Sequence, residues 1–285
     1  EIIRVESVPF AGMIGDSIGY VKVTQFAKRT GEDLEKKLAD LKKKNPQGII
    51  LDLRVNPGGL LNQAVAVSEL FLKKDALIVF TRGREKSQVQ EYRSQRDPAW
   101  DGRLVVLVNE NSASASEIVA GAIQDWDRGV VIGEETFGKG SVQTLLPLDG
   151  DGNTLKLTTA YYYTPSGRSI QAKGIDPDIQ ILQDVPDELK GRDSTKGEAS
   201  LRGHLRNGED EKSGSQAYVP PDEKKDKQLT AAIELLHGKP KAQIMADLQT
   251  KEPVKEAKDA KDAKDVKEAK DAKDVKDSKE AKDSK

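Results

Sequence analysis

Gly48-Ile49-Ile50-Leu51-Asp52-Leu53 is a nearly all-apolar run, and Arg54-Val55-Asn56-Pro57-Gly58-Gly59 turns the chain directly after it. A strand with one wet face alternates apolar and polar residues. A run this uniform suits a strand covered on both faces, and such strands belong to parallel sheets. A helix is predicted after the turn, over residues 60–72, with Leu61, Val65, Ser68 and Leu72 on one face. Upstream, residues 30–44 form a predicted helix with Leu34, Leu38 and Leu41 at helical spacing. Thr30 can cap it, and Asn45-Pro46-Gln47-Gly48 ends it. Further strands are predicted at 18–26, 76–81, 104–108 and 129–133, and a helix at 117–126. Strand and helix alternate from Gly48 to Gly133, which argues for α/β layers around a largely parallel sheet. Residues 141–148 and 154–163 read as a β-rich addition, joined by the turn Asp149-Gly150-Asp151-Gly152-Asn153.

Composition divides the rest of the chain. Residues 1–8 alternate apolar and polar and read as the end of something preceding, with no signal peptide. The core is expected over 9–182. Residues 183–226 are charged, carry Gly and Ser, have almost no apolar periodicity and read as a polar linker. Residues 227–250 suit one or two short helices. The stretch 251–285 is a low-complexity Lys/Asp/Ala tail with a period of three. That period cannot keep a stripe on a helix of 3.6 residues per turn, so a disordered charged tail is expected.

Lysine and arginine number 46, aspartate and glutamate 48, for a net charge of −2. That balance gives no reason to expect nucleic acid as a partner. No apolar run reaches the length of a bilayer-spanning helix. The chain has no cysteine, which excludes a thiolate nucleophile. Its two histidines, His204 and His237, lie beyond the apolar part of the chain. A Ser-His-Asp triad would have to recruit one of them from a polar region. A serine hydroxyl needs a base to take its proton, and a neutral lysine amine is the alternative to imidazole.

Residues 111–143 hold both parts of such a pair. Ser112-Ala113-Ser114-Ala115-Ser116 follows a predicted buried strand and precedes a helix. It therefore lies at the carboxyl end of the strand, where α/β sheets place their sites. Three serines compete: Ser112 is early in the turn, Ser116 suits a cap or first helical turn, and Ser114 is the candidate nucleophile. For a bare Ser-Ala-Ser, helix capping is the better account of all three serines. The N–H of Ala115 would face outward at the positive end of the helix as an oxyanion donor. Gly58 or Gly59 could supply a second donor, although the same residues also make an ordinary turn. Lys139, between Gly138 and Gly140, is the candidate base, because burial lowers the pKa of an amine. Gln143 stands at an even offset from it, on the same face of an extended segment, and its amide oxygen could hold the amine. An exposed loop lysine is the ordinary alternative.

Residues 48–59 (GIILDLRVNPGG), 109–125 (NENSASASEIVAGAIQD), 134–143 (EETFGKGSVQ) and 157–178 (LTTAYYYTPSGRSIQAKGIDPD) together resemble the carboxyl-terminal processing, or tail-specific, serine proteases. The resemblance runs in order as far as Asp178. It implies an α/β, crotonase-like layered protease core with β-rich additions; the disordered tail falls outside the pattern. It implies Ser114 as nucleophile, Lys139 as base, Gln143 as a third member, and the amides of Ala115 and the Gly58-Gly59 pair as oxyanion donors. An aspartate that some descriptions of the family assign falls on Asp125. Its charge would raise the amine pKa, so a structural role is expected for it. The resemblance also implies an upstream PDZ domain, absent from this chain, that binds substrate tails by strand addition. No metal or organic cofactor is expected, and the implied location is extracytoplasmic, in a bacterial periplasm or cell envelope. A homo-oligomer or an adaptor protein is left open as a further partner. The expected function is a serine endopeptidase with a Ser-Lys dyad that cuts polypeptides near their C-termini, with activity rising toward alkaline pH. The competing readings are a catalytically silent peptide-binding module on the same fold and a crotonase-like acyl-CoA enzyme. The second leaves the Ser-Lys spacing unexplained.

Overall fold

The computed structural model describes residues 6–85, 89–148, 152–191, 197–208, 211 and 214–251. Most of the stretch read as a preceding element, and nearly all of the Lys/Asp/Ala tail, lie outside the described residues. In chain order the elements are β1 (Phe10–Ile14), β2 (Ile18–Lys22), α1 (Thr30–Lys42), β3 (Gly48–Asp52), α2 (Leu61–Glu69), β4 (Leu77–Gly83) and β5 (Val89–Arg93). They continue with β6 (Arg103–Val108), α3 (Ala115–Asp125), β7 (Val130–Gly133), β8 (Ser141–Pro147), β9 (Thr154–Tyr163), β10 (Ile179–Gln180) and α4 (Lys227–Leu236). A further helix, α5 (Lys241–Lys251), is only weakly amphipathic.

Two sheets carry the fold. The first has the order β1-β2-β3-β6-β7-β10; only β1 runs antiparallel to its neighbour, and every other pair is parallel. The second, β5-β4-β9-β8, is antiparallel throughout. All five residues of β3 are buried, and the reason lies on both of its faces. Ile49 and Leu51 share a core with Leu34 and Leu38 of α1, Val67 of α2 and Ile118 of α3. Ile50 points to the opposite face, as alternation requires, and there α4 packs across β3, β6 and β7. Burying a leucine such as Leu229 or Leu236 of α4 contributes about 1.5–3 kcal/mol.

Several local expectations shift. Thr30 does not cap α1: its hydroxyl accepts from Ala27 N at 2.9 Å, so it closes the preceding turn, and Arg29 takes the cap position. Helix α2 buries Ala64, Val67 and Ser68, and Leu61 and Val65 are only partly covered. Strands β1 and β5 were not anticipated; β5, with the sequence VQEYR, lay in what reads as a polar loop. No helix among the described residues is long and apolar enough to cross a membrane.

The stretch read as a polar linker makes specific tertiary bonds. Asn207 Nδ2 donates to Gln171 O at 2.6 Å, Ser215 Oγ to Glu134 Oε2 at 2.8 Å, and Gln183 Nε2 to Asp226 Oδ1 at 2.6 Å. Asp226 then caps α4 by accepting from Leu229 N at 3.0 Å. Its other oxygen takes Arg54 Nη1 at 2.7 Å, across 172 residues of sequence. Arg54 is fully buried and also bonds Asp52, which receives Lys22 and Tyr20 as well. Burial alone would raise the pKa of Asp52; the charges of Arg54 and Lys22 outweigh it and hold it at about 2.

Candidate active site

Strands β3, β6 and β7 lie side by side and parallel, so their carboxyl ends share one edge of the sheet. Each feeds one loop of the site, which is where open α/β sheets place their chemistry.

The loop after β6 carries the three serines, and their surroundings differ. Ser112 Oγ donates to Leu53 O at 2.8 Å, and Ser116 Oγ to Asn56 O at 2.9 Å; both residues are fully buried. Ser114 is partly exposed, and no described acceptor takes its hydroxyl proton. Its backbone is strained, at φ 54 and ψ −108. A non-glycine residue in such a region costs about 1–3 kcal/mol and persists only where its surroundings force it. The forcing groups are visible. Ala113 N donates to Asn56 O at 3.0 Å, and Ser114 N donates to Glu117 Oε2 at 2.7 Å, half of a capping box at the start of α3.

The N–H of Ala115 has no hydrogen-bond partner among the described residues, so it is available at the positive end of α3. In the loop after β3, Gly58 does not supply the matching donor, because its N–H is bound to Asn56 Oδ1 at 2.9 Å. Gly58 serves a steric purpose: a Cβ there would lie 2.9 Å from both Ala115 N and Ser114 Cβ. The unbonded N–H belongs to Gly59, whose opposite side bridges to Phe26.

The loop after β7 carries Lys139, which is half-buried, and its Nζ makes no hydrogen bond or ion pair among the described residues. Three described backbone N–H groups tie this loop to the serine loop and the first turn of α3. Phe137 N donates to Ser112 O at 3.1 Å, Gly138 N to Glu117 Oε1 at 2.6 Å, and Lys139 N to Glu117 Oε2 at 2.9 Å. One carboxylate oxygen of Glu117 therefore accepts from the backbone of both Ser114 and Lys139. The other oxygen also takes Thr136 Oγ1 at 2.6 Å. Glu117 is completely buried, and burial pushes its pKa up to about 7 although these four donors pull it down.

The model of peptidase family S41 matches residues 17–181, which takes in all three loops. The chain belongs to peptidase family S41. A carboxy-terminal-processing protease of Bartonella bacilliformis is 48% identical over 245 residues, covering 84% of this chain and 56% of that protein. The carboxy-terminal processing protease CtpA of Bacillus subtilis is 40% identical over 190 residues, covering 67% of this chain and 40% of that protein. Among solved structures, the photosystem II D1 C-terminal processing protease superposes with a TM-score of 0.54 at 36% identity, covering 57% of this chain and 42% of that one. The chain thus spans about half the length of these S41 relatives, or less.

Two of the expected site residues make no described hydrogen bond to Ser114 or Lys139. Asp125 accepts from Ser166 N at 2.8 Å and pairs with Arg168, which anchors the end of α3 and touches neither Ser114 nor Lys139. Burial opposes its ionisation, but hydrogen bonds from Thr164 and Ser166 and the Arg168 charge hold its pKa below the usual value. Gln143 is exposed on β8, just past a β-bulge at Val142/Gln143, and no described hydrogen bond joins its side chain to Lys139. Lys139 precedes the strand, so the alternation argument does not carry across the turn. Glu117 was missed as a site residue, although Ser114-x-x-Glu117 spells the capping box that would have found it.

The S41 loop after β3 contains one residue out of keeping with its backbone. Val55 is exposed at φ 57, where a β-branched side chain is strained. Asn tolerates that region, and the bond from Val55 N to Asn109 Oδ1 at 2.9 Å would be kept. Val55→Asn is expected to stabilise the protein by about 1 kcal/mol, read as a rise of roughly 2–4 °C in the unfolding midpoint. An unchanged or lower midpoint would show that the strain is not where the dihedral puts it.

Proposed function

We propose that this chain is the catalytic part of a C-terminal processing serine endopeptidase with Ser114 and Lys139 as its dyad. The observation that carries the reading is the single Glu117 oxygen that binds the backbone amides of both residues. It is supported by the strained backbone of Ser114 and by the unbonded N–H groups of Ala115 and Gly59. In this reading Ser114 Oγ attacks the scissile carbonyl carbon and neutral Lys139 takes its proton. The N–H groups of Ala115 and Gly59 hold the oxyanion. Collapse breaks the C–N bond, and the lysine ammonium returns the proton to the leaving amine. A water, deprotonated by the same amine, then hydrolyses the acyl-enzyme. Gln143 steadies the amine only if the β8 end moves toward it. Substrates are polypeptide tails, brought by a PDZ domain encoded upstream, in an extracytoplasmic compartment. The names of the S41 relatives, carboxy-terminal processing proteases, support the polypeptide tails as substrates; the PDZ domain and the compartment rest on the family resemblance of the sequence alone.

Incubation with an unstructured polypeptide such as casein tests the reading. Cleavage that Ser114→Ala removes is the expected result. Cleavage that survives in Ser114→Ala, or turnover of an acyl-CoA thioester in its place, overturns it.

A further inference from the structure

We infer that the amino end of α4 holds two loops of the site in register, with Gln228 and Asp226 as positioning residues. The inference rests on the Ser114–Lys139 reading. Arg54 immediately precedes the turn of Gly58 and Gly59, and Glu134 follows β7 and opens the segment that leads to Lys139. Strand β6 separates β3 from β7, so no backbone ladder joins those two strand ends directly. The Gln228 side chain does. Its Oε1 accepts from Arg54 Nη1 at 3.1 Å, and its Nε2 donates to Glu134 Oε1 at 3.3 Å and to Ile181 O at 2.8 Å. Asp226 completes the hold by pairing with Arg54 Nη1. A side-chain amide suits this place because it offers an acceptor to a guanidinium and a donor to a carboxylate from one neutral group.

Gln228 is fully buried, at 0% exposure. Packing alone would be served as well by an apolar side chain of that length, since buried ionic groups are often no more stabilising than a hydrophobic replacement. What the polar bridge adds is a fixed relation between Arg54 and Glu134. Helix α4 lies outside residues 17–181, so Gln228 and Asp226 reach the matched region from beyond its end, to Arg54, Glu134 and Ile181 within it. The Bartonella match covers 84% of this chain, enough to take in α4 wherever it begins.

The deciding variant is Gln228→Met, which keeps length and removes all three bonds. Arg54 retains Asp52 and Asp226, and Glu134 retains Ser215 and the Gln183 amide, so the fold is expected to survive. Steady-state cleavage of casein and the rate of Ser114 labelling by a fluorophosphonate are measured beside thermal unfolding. The expected result is a KM within about twofold of the parent, with kcat and labelling each lowered about tenfold or more. Gln228→Glu keeps the acceptor for Arg54 but sets a carboxylate against both Glu134 and Ile181 O, and should lower kcat and labelling in the same way. Asp226→Asn is the second variant: it keeps the acceptor that caps α4 and removes the bond to Arg54, which retains Asp52 and Gln228. Lowered kcat and labelling with KM near the parent are expected there too. Unchanged kcat and labelling in Gln228→Met overturn the inference. If Gln228→Met does not fold, parental kcat and labelling in Asp226→Asn overturn it instead. Ser114→Ala in the same assays separates the two claims. Labelling or cleavage that persists there removes the dyad, whereas a silent Ser114→Ala beside a fully active Gln228→Met removes only the positioning role.

Discussion

Lys139→Met is expected to lower kcat/KM by about ten-thousand-fold while shifting thermal unfolding by no more than a few degrees. Methionine matches the lysine stem in length but cannot accept a proton. The two effects separate because Nζ has no described partner, whereas the backbone N–H of Lys139 keeps its bond to Glu117 in either variant. A nucleophile and its base act as a unit, so Ser114→Ala/Lys139→Met should be no slower than either single change. Initial rates and calorimetry on the three variants check this. A Lys139→Met enzyme within tenfold of the parent would sink the dyad, and so would activity that disappears only together with the fold.

The second large effect is at Glu117. Four donors converge on its carboxylate: the amides of Ser114, Gly138 and Lys139, and the Thr136 hydroxyl. Glu117→Ala leaves all four without that acceptor, each buried loss costing about 1–3 kcal/mol. A fall of more than 10 °C in the unfolding midpoint is expected. Glu117→Gln is more informative. Its oxygen can serve one pair of donors, and its NH₂ must then face the other pair. Activity should fall about tenfold to a hundredfold while the fold holds.

The pH dependence of this group has a definite sign. The folded pKa is raised from an ordinary 4.5 to about 7, so between those values the folded chain keeps a proton that the unfolded chain releases. Its contribution to stability is present below pH 4.5 and is lost as the pH rises to about 7. The loss amounts to about 3 kcal/mol. Activity moves the other way. Of the four groups around a protonated Glu117 only the Thr136 hydroxyl can turn acceptor for its hydrogen, and the neutral carboxyl then binds the amides of Ser114 and Lys139 less strongly than the carboxylate does, so the shared hold on them loosens. Turnover should therefore fall as the pH drops through about 7, and stability should rise over the same window. In Glu117→Gln both slopes should flatten. A parent enzyme whose stability increases from pH 5 to pH 7 would contradict this account.

Much of this was readable in the sequence because apolar pattern and fold agree. Gly48 to Leu53 could be taken as a buried parallel strand because α1–α3 cover one face and α4 the other. The positions of Ser114 and Lys139 followed from their places after strands and between glycines. Other features left no apolar signal. Strand β5 is polar and at a sheet edge, so alternation did not mark it. The contribution of residues 183–228 is made by hydrogen bonds from Gln183, Ser215, Asp226 and Gln228, which periodicity does not register. Nor could composition tell the two glycine amides apart. Asn56 occupies the amide of Gly58, and only the folded turn shows that the N–H of Gly59 has no partner among the described residues.

The ion pair between Arg54 and Asp226 has a temporal meaning as well. A ribosome emits Arg54 172 positions before Asp226, and Ser114, Lys139 and every strand of the first sheet also precede that aspartate. Until then the guanidinium lacks its second counter-ion, and the turn beside it has nothing fixing it from that side. The turn beside Arg54 therefore gains its second anchor only late in synthesis, when the start of α4 emerges.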